Sequence, residues 1–157
     1  MNQGNPVNRR ITTLLAAAAL AEGGGAVGRK RFVSDIASIP GKAPLRLAGE
    51  WESWLKSKDS LAAGFDMNTL VGWMQRWVAD VVSLRLGGPV RFFPAEHDIL
   101  HGLAGRMTID SALGCYNEIN QTRRVAQHPL NPRLFLEDML LRYARAFARS
   151  AAPAVRK

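Results

Sequence analysis

Apolar residues recur along this chain at three- and four-residue intervals, the spacing that gathers them on one side of an α-helix. Between residues 29 and 39, Phe32, Val33, Ile36 and Ile39 share a face, and Pro40-Gly41 stops the run. From Pro44 to about Lys58, Leu45, Leu47, Ala48, Trp51, Trp54 and Leu55 continue the pattern, with Glu50, Glu52 and Lys56 outside. A longer helix follows. Asp66 or Asn68 is placed to cap it, and Leu70, Trp73, Met74, Trp77, Val78, Val81 and Leu84 form its inward stripe. Arg76, Asp80 and Arg85 decorate the opposite side, and Gly87-Gly88-Pro89 ends it. A turn through Val90–Pro94 leads to a helix of about ten residues from Ala95. Thr108 caps the next, with Ile109, Ala112, Leu113, Tyr116 and Ile119 inward. Asn131 caps and Pro132 opens the last, lined by Leu136, Met139, Leu140, Tyr143 and Phe147. With no alternating strand pattern of useful length and no internal repeat, the chain predicts an all-α helical bundle.

The first residues need separate treatment. Arg9-Arg10 followed by the apolar stretch Ile11–Ala21 imitates an export signal, with a small-residue Ala19-Leu20-Ala21 site before Glu22. That stretch has eleven residues, against the roughly 20 needed to span a bilayer. The competing reading is an Ala-rich helix ended by Gly23-Gly24-Gly25. Gly23, Gly25 and Gly28 also satisfy a G-x-G-x-x-G phosphate-loop pattern. The segment before them reads as helix rather than strand, and Arg29-Lys30 supplies no hydroxyl for a magnesium ion. The glycines therefore read as a hinge. The expected organisation is an N-terminal helix and Gly-rich hinge over residues 1–28, a helical domain over 29–150 and a basic tail over 151–157.

Composition narrows the class. Of the 157 residues, 47% are hydrophobic and 22% charged, a balance that excludes a disordered tail or a fibrous repeat. The single cysteine, Cys115, excludes an internal disulfide framework and a multi-Cys zinc site. Charge is uneven. Residues 1–46 carry seven basic and two acidic side chains, residues 47–122 six and nine, and residues 123–157 eight and two. Two basic ends around an acidic middle favour contact with a polyanion or an acidic partner, the alternative being a solubilising surface.

Candidates for chemistry are sparse. Ser53-Trp54-Leu55-Lys56 matches S-x-x-K but lacks the companion motifs of that nucleophile. His97 and His101 stand at i, i+4 beside Glu96 and Asp98 and could share a helical face around a metal, yet Asp98 stands where H-E-x-x-H has Glu, and His128, the only other His, lies in a loop. Cys115 has no sequence-adjacent base. The spacing of Trp51, Trp54, Trp73 and Trp77 is that of core packing. No catalytic, cofactor or metal site is expected. More informative are Arg123-Arg124 and the ladder Arg142, Arg145, Arg149 on one edge of the last helix, which can meet phosphates or carboxylates. The bland alternative is local pairing, such as Asp138 with Arg142.

Three segments carry a resemblance. Trp73-Met74-Gln75-Arg76-Trp77-Val78-Ala79-Asp80, Ala112-Leu113-Gly114-Cys115-Tyr116-Asn117 and, above all, His128 through Tyr143 (HPLNPRLFLEDMLLRY) resemble the C-terminal collar domain of the delta-prime subunit of bacterial DNA polymerase III. The similarity spans about residues 29–150, and residues 11–28 resemble the tail of a preceding AAA+ lid. It implies a cytoplasmic clamp-loader subunit without a membrane role. Its helical collar would assemble with the delta and gamma/tau subunits to support sliding-clamp loading in DNA replication, meeting DNA only through the complex. The AAA+ module, four-Cys zinc site and Ser-Arg-Cys segment of that family have no counterpart in these residues, so neither zinc binding nor an arginine finger is implied. Candidate subunit-facing or DNA-facing residues are Arg76, Asp80, Arg85, Arg123, Arg124, Arg142 and Arg145. A stand-alone basic helical nucleic-acid-binding module is the alternative.

Overall fold

A computed structural model describes residues 25–126 and 129–151 of the chain, and the expected N-terminal helix, His128 and the basic tail after Ala151 lie outside them. The described residues form seven α-helices and two single-turn 3₁₀ segments, with no strand among them. The helices are α1 (Gly25–Ala37), α2 (Pro44–Lys56), α3 (Lys58–Ala63), α4 (Met67–Arg85), α5 (His97–Ala104), α6 (Ile109–Thr122) and α7 (Pro132–Ala151). This is an all-α bundle.

Local chemistry sets the helix ends. Asp66, rather than Asn68, caps α4: its Oδ1 accepts from the Thr69 backbone N–H at 2.9 Å. Thr108 caps α6 through Ser111 N–H at 3.0 Å, and Asn131 caps α7 through Leu134 N–H at 3.1 Å. The run expected from 44 to 58 is two helices. Ser57 is extended, ends α2 through its own N–H to the Trp54 carbonyl, and caps α3 by accepting from Ser60 N–H at 3.2 Å. At Gly87 the chain leaves α4 with φ of 86°, a left-handed turn that only glycine adopts without strain. The helix expected from Ala95 begins as a 3₁₀ turn at Pro94–Glu96 and becomes α5 at His97.

The glycine-rich segment differs from the expected hinge where it is described. Helix α1 starts at Gly25, so Gly25 and Gly28 are helical. Gly28 is buried, and a Cβ there would sit 3.1 Å from the Trp73 ring. Its missing side chain lets α1 approach α4 closely, which is the reason for glycine at this position.

Helix α4 is packed against α5 and α6, α6 against α7, and α7 against α2. Helix α1 joins through Phe32, whose ring lies 5.8 Å from Trp51, 5.8 Å from Trp73, 6.1 Å from Trp77 and 6.0 Å from Phe93, centroid to centroid. Two indole N–H groups enter this core with partners. Trp51 Nε1 donates to Asp35 Oδ2 at 2.8 Å, and Trp77 Nε1 donates to the Tyr143 hydroxyl at 3.0 Å. Burial pushes the Tyr143 phenol well above its ordinary range, opposed only in part by the Trp77 bond. Trp51, Trp73 and Trp77 are core, as their spacing predicts, and Trp54 packs half-buried against that core. Three residues expected to face inward do not: Leu45 is 48%, Ile109 42% and Leu113 38% exposed. Each sits in a first turn or at the margin of its helix's stripe, where no neighbouring element covers it.

Candidate functional site

Asp80 overturns part of the expected outer face. It lies seven residues after Trp73 and three after Trp77, on the inward stripe, and it is completely buried. Its partners come from the segment after α4. Arg91 N–H donates to Oδ1 at 2.8 Å, Phe92 N–H to Oδ2 at 3.0 Å, and Phe93 N–H to Oδ2 at 2.9 Å. Three successive backbone donors thus satisfy a carboxylate inside the fold, so Asp80 is a brace rather than a surface contact. The sequence signal was present in its register with Trp73, Trp77 and Leu84, but an acidic side chain on that stripe reads as surface until its donors are known.

The same segment is held from the other side. Arg29 Nη2 donates to the Phe92 carbonyl at 2.8 Å, and its guanidinium lies 4.5 Å from the centre of the Phe93 ring. Phe93 is buried against Trp77 at 5.2 Å between centroids. What remains outside is Arg91 and the 43% exposed ring of Phe92. Beside them opens a groove of about 480 Å³ between the end of α4, the 88–92 segment and Tyr116 of α6, walled by Val82, Leu86 and Phe92. Ser83 and Pro89 also line it, with Ser83 Oγ donating to the Pro89 carbonyl at 2.6 Å. A second cavity of about 450 Å³ lies between α1, α2 and α3. There Arg31 stacks 4.4 Å from the Trp54 ring centre, and Trp54 in turn packs on Phe65 at 4.5 Å.

The other predicted residues divide between internal and outer roles. Arg123 is half-buried, hydrogen-bonds to Gln75 Oε1 and lies over Gly72, where a Cβ would come within 3.2 Å of its guanidinium. Gln75 also donates to Asn120 Oδ1 at 2.8 Å, tying α4 to the end of α6. Arg142 forms the expected pair with Asp138 at 2.9 Å and reaches Glu118 on α6 at 3.4 Å. The Asp138 hydrogen bond, the largest contributor, raises the Arg142 pKa. Arg76 is half-buried, whereas Arg85, Arg124 and Arg145 are exposed; the Arg149 side chain lies outside the described residues. Two of the expected contact arginines therefore stitch helices together.

The remaining chemical candidates are dispersed. Ser53 is exposed and Lys56 pairs with Glu52 at 3.4 Å. Cys115 is buried. His97 and His101 stack at 6.0 Å on the exposed side of α5, and among the described residues no three His, Cys, Asp or Glu side chains gather as a metal set. No helix among the described residues is long and apolar enough to cross a membrane. Comparison of the chain with family models, curated proteins and solved structures gave no match. The fold and the site define an all-α bundle with a braced Arg-Phe segment and an exposed set of arginines.

Proposed function

We propose that this chain is a cytoplasmic assembly module of the clamp-loader collar kind, a helical bundle that joins the delta and gamma/tau subunits and supports sliding-clamp loading in replication. One observation carries the reading. The first two segments of the resemblance fall on α4 and α6 and residues 132–143 of the third on α7; α6 packs against both α4 and α7, and Trp77 of the first bonds to Tyr143 of the third inside the core. The residues that carry the resemblance thus maintain a scaffold, which is what an assembly module needs. In this reading Arg85, Arg124 and Arg145, with Arg76, meet neighbouring subunits, while Arg123 and Arg142 hold the helices that present them. The module performs no ATP chemistry and meets DNA through the ring.

Co-expression with tagged delta and gamma/tau subunits tests it. The expected result is a stoichiometric complex in size-exclusion chromatography, weakened by the double change Arg124→Glu and Arg145→Glu. A folded chain that stays apart from those subunits overturns the reading. Tight binding of duplex DNA by the chain alone, with log affinity falling steeply against log salt, would instead favour the nucleic-acid module.

A further inference from the structure

We propose that His97 and His101 are a chelating pair on the exposed side of α5, binding a divalent late transition-metal ion (Cu²⁺, Ni²⁺ or Zn²⁺) between two imidazoles. Residues four apart on a helix stand one above the other, so both rings leave the same face. Their centroids lie 6.0 Å apart, with planes only 20° from parallel. A metal held by one nitrogen of each ring at about 2.1 Å sets the ring centres about 5 Å apart at a tetrahedral angle. Both side chains are exposed, so modest χ rotations close that small gap without moving the backbone.

The fold supports the pair from beneath. Leu100, Leu103 and Ala104 anchor α5 in the core, and the Gly105 N–H donates to the His101 carbonyl at 3.0 Å. The spacing of the two Cβ atoms is therefore set in advance, and binding costs only side-chain freedom. His97 Nδ1 lies 3.5 Å from Asp98 Oδ1. A carboxylate there favours the proton on Nδ1, which leaves Nε2 as the ligand and makes it more basic. Local charge also suits a cation. From Phe92 to Gly105 the chain carries Glu96 and Asp98 and no Lys or Arg, although the whole carries +8. Imidazole nitrogens select late first-row ions over Mg²⁺ and Ca²⁺, which take oxygen ligands. Among the described residues no third side chain completes the set, which leaves the ion's other positions to solvent. Cys115, the single thiol, is buried and does not compete.

The site stands whether or not the chain joins a clamp-loader ring. Its test is titration of the full chain with Zn²⁺, Cu²⁺ and Mg²⁺ in a non-chelating buffer, followed by calorimetry and by the histidine ring protons in NMR. One ion per chain is expected, with Cu²⁺ bound more tightly than Zn²⁺ and Mg²⁺ not bound. Zn²⁺ should shift the His97 and His101 resonances together. His97→Ala and His101→Ala should each weaken Zn²⁺ binding about tenfold or more, because either change breaks the chelate. His128→Ala should bind as the wild type does. The two α5 variants change exposed side chains, and circular dichroism establishes that they keep the wild-type helix content. Absence of Zn²⁺ and Cu²⁺ binding, binding that survives either α5 variant, or binding that His128→Ala removes overturns the proposal.

Discussion

Asp80 shows how one side chain can set the course of the backbone. A buried carboxylate without donors would be strongly unfavourable, and one with three successive N–H partners is a clamp on the segment that supplies them. Replacing it by alanine leaves the Arg91, Phe92 and Phe93 N–H groups without their acceptor. Asp80→Ala is expected to lower unfolding stability by about 3 kcal/mol, measured by urea denaturation. Amide exchange at Arg91, Phe92 and Phe93 should accelerate in the same variant, and unchanged protection there would refute the brace.

Between elements, the Trp77–Tyr143 bond joins the middle of α4 to the middle of α7. Because burial raises the Tyr143 pKa in the folded state, the folded chain keeps the phenolic proton where the unfolded chain loses it. The contribution is fully present below the unfolded value of about 10 and is lost as pH rises above it. Stability should therefore fall by about 1.4 kcal/mol per pH unit in that range from this group alone. Comparing wild type with Tyr143→Phe between about pH 8 and 11 isolates it, since the variant lacks this slope. Parallel curves would show that the phenol titrates normally. Helix ends belong to the same scale and were readable in advance: Asp66, Thr108 and Asn131 each accept the N–H three residues ahead, a contact contained within four residues of sequence. The Ser57 junction was less readable, because periodicity runs through it and only the extended backbone divides α2 from α3.

For the molecule as a whole, the aromatic cluster decides whether α1 belongs to the bundle. Phe32 touches rings from α2, α4 and the 93 position at once, so it links segments more than 60 residues apart in the chain. Phe32→Ala leaves a cavity among three indoles and is expected to cost about 3–5 kcal/mol. Tryptophan emission should shift to the red as water reaches Trp51 and Trp73. An unaltered spectrum with wild-type stability would mean that α1 packs independently of this ring. The groove and the exposed arginines exist only at this scale, because each is assembled from helices that the chain order separates.

Helical class, cap residues and the tryptophan-rich core followed from the sequence because 3.6-residue periodicity and capping are short-range properties of the backbone. The fate of the polar positions was decided by tertiary structure. Asp80, Arg123 and Arg142 looked like surface charges; Asp80 is buried and the two half-buried arginines tie elements together, because each has a partner from another element: the 91–93 backbone, Gln75 of α4, and Glu118 of α6. Conversely Leu45, Ile109 and Leu113 looked like inward apolar positions, and stay exposed because no helix covers them. A charge's burial and an apolar side chain's exposure depend on neighbours distant in sequence, and those neighbours are fixed only when the helices pack.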